Sequence, residues 1–207
     1  MIAKKFFKCF FFVHIHKTAG TSISTVIVTS KKYRINFSPT EHATASEIIN
    51  ILGKSSKKFY SFSFVRNPWD RLNSLYYFLC QKKLSTEKGE NWDQQALKNR
   101  GFKAWLLEGD FWPPYLNGSG PSFQKRTQSF FLCDEEANIL VDDVFKYENL
   151  KNELTVLSKN IGIGFDGLPI TKATLRDDYK YDYCSETIDF ISHFHEEDIE
   201  RFNYKFD

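Results

Sequence analysis

The stretch "CFFFVHIHKTAGTS", residues 9–22, constrains this chain more than any other. "CFFFVHI" (9–15) is an almost unbroken apolar run, the pattern of a strand buried on both faces of a parallel sheet. Directly behind it, "KTAGTS" holds a lysine, a glycine and three hydroxyl side chains. If a helix starts near Gly20, its first N–H groups have no intrahelical acceptor, and the helix dipole adds attraction for an anion. Gly20 lets a ligand approach the backbone. Thr18, Thr21 and Ser22 supply hydroxyl donors, and Lys17 supplies a mobile point charge. The helix itself, "TSISTVIVTS", is rich in β-branched residues and has poor local propensity. The strand–loop–helix context is what argues for it.

A second unit of the same kind follows. "FYSFSFV" (59–65) alternates aromatic and small polar residues and predicts a strand. "RNPWDRLNSLYYFL" then predicts a helix, with Asn67 as its cap, Pro68 at its first position and Asp70 in its first turn. "YRINF" (33–37) and "ILVDDVFKYE" have strand character. "ATASEIINIL" has helical period, with Ala43, Ile48, Ile49 and Leu52 on the buried side. "NLKNELTVLSKNIG" predicts an amphipathic helix ended by Gly162, and "SETIDFISHFHEEDIERFNY" predicts one more helix. Residues 84–122 are polar and rich in turn residues, and read as an excursion that covers a substrate cleft. Alternating strands and helices imply a single α/β domain over residues 1–207. The expected architecture is P-loop-like and three-layered, with a central, mostly parallel sheet flanked by helices. Ligands then bind beyond the carboxyl ends of the strands, where residues 16–22 and 66–74 fall.

Bulk properties exclude several classes. The 207 residues suffice for one such domain. A net charge of +2 gives no footprint for wholesale nucleic-acid binding. Cys9, Cys80, Cys133 and Cys184 are scattered, which excludes CxxC chemistry and reads as buried thiols in a reducing compartment. No ligand cluster for a metal is evident, since His193 and His195 fall on different helix faces. The N-terminal "MIAKKFFKCFFFV" starts as a signal peptide would, but Lys8 interrupts it and no small-residue cleavage site follows. No stretch reaches the roughly 20 apolar residues of a membrane span. The expected location is cytoplasmic.

The loop is not the common nucleotide triphosphate type. That pattern, GxxxxGK[ST], puts lysine after its glycines, whereas Lys17 precedes Gly20. "HIHKTAGTSI" followed by "FSFVRNPWDRLNSLYYF" instead resembles the paired signature segments of the glycan-type (family 2) sulfotransferases. That family includes membrane-bound Golgi enzymes that sulfate glycosaminoglycans, and many bacterial relatives. The resemblance is carried by residues 13–23 and 62–78, and more weakly by 42–44 and 126–150. It implies 3′-phosphoadenosine 5′-phosphosulfate (PAPS) as donor, adenosine 3′,5′-bisphosphate (PAP) as spent product, no metal, and a carbohydrate or other hydroxyl-bearing acceptor. It implies that Lys17 contacts the oxygen bridging sulfate and phosphate. Thr18, Ala19, Gly20, Thr21 and Ser22 would bind the 5′-phosphate, and Arg66 and Ser74 the 3′-phosphate. A histidine between the two motifs serves as base in the family's glycan 2-O-sulfotransferases, which points to His42; neighbouring Glu41 is a weaker rival. One departure stands out, because His16 occupies the place of the family's usual proline. Lys125 and Arg126 are candidate contacts to cofactor or acceptor. Alternatives from the residues alone are an atypical small-molecule kinase, or a nucleotide- or glycan-binding module without catalysis.

Overall fold

The computed structural model describes residues 9–32, 42–81, 94–108, 125–168 and 175–207. The strand expected at 33–37, the rival base Glu41 and most of the 84–122 excursion lie outside the described residues. The chain forms two compact units, each drawn from two stretches of sequence: residues up to Arg66 with Gln128–Thr171, and Asn67–Thr127 with Lys172–Asp207.

Among the described residues, the first unit is built on a three-stranded sheet ordered β1 (Phe10–Val13), β2 (Tyr60–Val65) and β3 (Asp143–Lys146), with both pairings parallel. The α/β class and parallel sheet are as expected. The register puts Phe12 beside Phe62, and Phe64 beside Phe145. Side chains of paired residues share a face, so the aromatic half of the β2 alternation forms one apolar surface. Helix α1 (Gly20–Thr29) packs Ile23 and Ile27 onto that surface, and α6 (Leu150–Ile161) adds Leu154, Leu157 and Ile161. Fully burying residues of this size stabilises by about 1.5–3 kcal/mol each. That outweighs the weak propensity of the β-branched α1 sequence. The serine half of β2 is buried too, and satisfies itself locally: Ser63 Oγ donates to the Val13 carbonyl (2.8 Å) and Ser61 Oγ to Asp142 (2.7 Å). β1 differs from expectation. It lies at the edge of the described sheet, so Phe10, Phe11 and Phe12 are half-buried, and only Val13 is fully enclosed.

Helix α2 (Ala45–Leu52) starts with a capping box between Thr44 and Glu47. Ala43 is buried as expected, while Ile48, Ile49 and Leu52 are half-buried. The short α5 (Ser129–Leu132) packs with α2. Gly162 closes α6 with φ 69°, a left-handed turn that costs a glycine little.

The second unit is helical. α3 (Pro68–Gln81) opens with Asn67, whose Oδ1 accepts the Trp69 amide (3.1 Å) while its Nδ2 donates to the Lys205 carbonyl (2.8 Å). Asp70 pairs with Arg176. α4 (Gln94–Glu108), broken at Gly101, falls within the presumed polar excursion, yet Leu97, Phe102, Trp105 and Leu106 are buried and the helix packs on α3. The C-terminal helix divides into α7 (Ser185–Phe194) and α8 (Glu196–Phe202). The break falls at His195, buried beside Asp198 (3.7 Å). Glu196, Glu197 and Asp198 gather in the first turn of α8, where the dipole favours negative charge. The cysteines were expected to be buried. Cys80 is, but Cys9 and Cys184 are exposed: Cys9 immediately precedes edge strand β1, and Cys184 caps α7 at its surface.

Candidate active site

All three strands of the first unit run the same way, so the loops after β1, β2 and β3 emerge at one edge of the sheet. The first is the anion loop. Its backbone is unusual for a sequence with no glycine before position 20: Lys17 (φ 66°) and Ala19 (φ 67°) are both left-handed, and the Thr18 hydroxyl between them donates to the Ile15 carbonyl (2.9 Å). Ala19 is the N-cap of α1. It has no side chain with which to cap, the first turn contains no acid, and the first intrahelical bond is Ile23 N to Ala19 O (3.1 Å). The amides of Gly20 and Thr21 precede that bond. The first turn of this ten-residue helix thus carries no acid of its own to offset the dipole.

Gly20 has a use that the sequence does not show. A Cβ there would fall within the imidazole of His14, which lies against the first turn of α1. The glycine admits a side chain of the protein itself.

Three histidines converge on this loop. His42, just ahead of α2, stacks on His16 with ring centroids 3.3 Å apart, and His14 lies 4.4 Å away on a tilted plane. His42 Nδ1 is 2.7 Å from the His14 carbonyl oxygen. A carbonyl only accepts, so Nδ1 carries the proton, and in the neutral ring Nε2 carries the lone pair. His16, standing where the family has proline, packs flat on His42. Sequence spacing gave no sign that these three rings meet.

The loop after β2 begins with Arg66, which is 7% exposed. Its N–H donates to Gln128 Oε1 (2.8 Å), and Gln128 Nε2 donates back to the Arg66 carbonyl (2.9 Å). Its guanidinium Nη1 donates to the Lys17 carbonyl (3.0 Å). The Cζ atom lies 4.1 Å above the ring of Tyr147, the first residue after β3. Gln128 and Tyr147 were not anticipated. Glu148, next to Tyr147 in sequence, is exposed.

The remaining candidates belong to the second unit. Ser74 is buried within α3. Lys125 places its ammonium 4.2 Å over the Phe194 ring, and the Arg126 carbonyl accepts from the fully buried Arg71. Among the described residues, no group of three His, Cys, Asp or Glu side chains is placed to hold a metal ion.

A parallel α/β sheet here carries a helix end, a lysine and an imidazole at its carboxyl edge, groups whose chemistry suits an anion. Comparison with protein families narrows this, since the model of the sulfotransferase family matches residues 7–205, nearly the whole chain, and the chain belongs to that family. Membership carries the general reaction, transfer of a sulfuryl group to a hydroxyl-bearing acceptor. No curated protein and no solved structure matches the chain. No helix among the described residues is long and apolar enough to cross a membrane.

Proposed function

We propose that the chain transfers the sulfuryl group of PAPS to a carbohydrate hydroxyl, with His42 as general base. The observation that carries the reading is the setting of His42. Its ring is stacked on the residue just before Lys17, and its Nδ1–H is committed to a backbone carbonyl. Such an imidazole has one defined basic atom, Nε2, beside a loop suited to phosphate and sulfate.

The donor, when bound, supplies the sulfuryl group and a phosphate leaving group. Lys17 and the head of α1, residues Thr18 to Ser22, hold the phosphosulfate and neutralise charge on the departing oxygen. Arg66 and Ser74 hold the 3′-phosphate. His42 Nε2 takes the proton of the acceptor hydroxyl, and the bond from Nδ1 to the His14 carbonyl strengthens as the ring becomes cationic. Lys125 and Arg126 are proposed contacts for an anionic acceptor. The exposed thiols of Cys9 and Cys184 suit a reducing compartment, so the proposed location is the cytoplasm.

The first test is calorimetric titration with PAP, with ATP as control and magnesium omitted. Micromolar binding of PAP with little response to ATP supports the reading. ATP binding that appears with magnesium, with none to PAP, overturns it in favour of a kinase. Turnover of His42→Ala then tests the base: a fall of about 10²-fold or more with PAP affinity kept is expected, and wild-type turnover removes His42 from the reaction.

A further inference from the structure

We propose that Arg66, beside its contact to the 3′-phosphate, is a strut for the phosphate loop, seated on Tyr147, and that part of its contribution to nucleotide binding comes through the shape of that loop. The inference rests on the reading that the loop binds a nucleotide, and assigns Arg66 a positioning role that the 3′-phosphate assignment does not contain.

The loop needs support. A non-glycine residue in the left-handed region is strained, and Lys17 and Ala19 are both there with one residue between them. Such pairs persist only where the surroundings over-determine them. Each residue of this triplet has a tie. Ala19 O accepts the Ile23 amide, the Thr18 hydroxyl is bonded to Ile15 O, and Lys17 O accepts from Arg66 Nη1. The third tie is the only one of these that comes from another strand. Arg66 is itself held on three sides: Gln128 bonds its backbone at both N–H and carbonyl, and Tyr147 lies under the guanidinium. A planar, permanently charged fork can stack on a ring and donate sideways at once, which an ammonium cannot. The contacts therefore run in series from the end of β3 through the end of β2 to the loop after β1. Two left-handed residues are held without glycine, and the amides at the head of α1 keep their orientation.

The experiment uses two probes, adenosine 5′-monophosphate and PAP, which differ only in the 3′-phosphate, titrated by calorimetry against wild type, Arg66→Ala, Arg66→Lys, Tyr147→Ala and Tyr147→Phe. Amide hydrogen exchange of the peptide spanning residues 16–22 is measured in the ligand-free proteins. A strut predicts that Arg66→Ala weakens the monophosphate by about tenfold or more and PAP at least as much, with binding stoichiometry unchanged, as a partly unfolded sample would not show. Arg66→Lys fails to rescue. Tyr147→Ala weakens both in the same sense, and Tyr147→Phe, which keeps the ring face, stays near wild type. Loop exchange accelerates in Arg66→Ala and Tyr147→Ala. If Arg66→Ala weakens PAP alone, with the monophosphate and loop exchange unchanged, Arg66 is only a phosphate ligand and the strut is overturned. If wild type binds neither nucleotide, the PAPS reading falls. Loop exchange still decides the strut: acceleration upholds it and no change overturns it.

Discussion

A methyl group on Gly20 would occupy the same space as the His14 imidazole, so Gly20→Ala forces either the ring or the first turn of α1 to move. Overpacking of this kind costs about 1–3 kcal/mol. The expected outcome is a fall of that size in urea unfolding, most of it recovered in Gly20→Ala/His14→Ala, where the ring is gone. Additive losses in the two single variants would mean that the glycine answers to something other than His14. The backbone carbonyl of His14 also fixes the tautomer of His42, so a glycine that reads in sequence as room for phosphate bears on the candidate base. That link was not legible, because it depends on side chains far apart in sequence. The places of Lys17, Thr18 and Arg66 at the ends of strands were legible, and their residue types point to anions before any contact is known.

Among the elements, α3 shows how much of a helix end can be read and how much cannot. Asn67 was recognisable as the cap from its position before Pro68, and its Oδ1 accepts the Trp69 amide. Its second bond, to the Lys205 carbonyl near the C-terminus, is a tertiary contact with no local signature. Asn67→Ala is expected to cost about 1 kcal/mol for the cap, and roughly 1 kcal/mol more for the lost buried bond. Asn67→Asp keeps the cap and loses the Nδ2 donor, so chemical denaturation should place it between wild type and alanine. Equal losses for both variants would assign the whole effect to the Lys205 contact. α4 failed as a sequence reading for a related reason. Its buried residues Leu97, Phe102, Trp105 and Leu106 are split by Gly101, so no continuous helical period runs through them. The break at His195 was equally hidden, because every residue around it is compatible with helix.

At the scale of the whole molecule, tyrosine burial makes stability depend on pH in the alkaline range. Burial, reinforced by a hydrogen bond to Asp182, pushes the Tyr77 phenol up to about 12. Burial raises Tyr76 further, and raises Tyr60 further with help from its bond to Asp143. Tyr183, whose hydroxyl donates to the Trp69 carbonyl, is shifted well upward, again chiefly by burial. Each group holds its proton more tightly folded than unfolded. The unfolded chain therefore binds fewer protons above pH 10, and stability falls as pH rises. Below pH 10 the contribution of these groups is fully present; for Tyr77 it is lost between about pH 10 and 12. Phenolate absorbance and helix content, followed together in an alkaline titration, should change in one cooperative step. Phenolate formation completed near pH 10 with the fold intact would show that these hydroxyls are open to solvent.

The paired hydrogen bonds between Arg66 and Gln128 act as a clasp across the point where the chain leaves the first unit and the point where it returns. Two amide-like groups meet there as neighbouring strands would. The position of Arg66 is thus fixed by the clasp, whatever the length or sequence of the chain between. Sequence changes within residues 84–122 leave this clasp with both of its partners, because neither lies there.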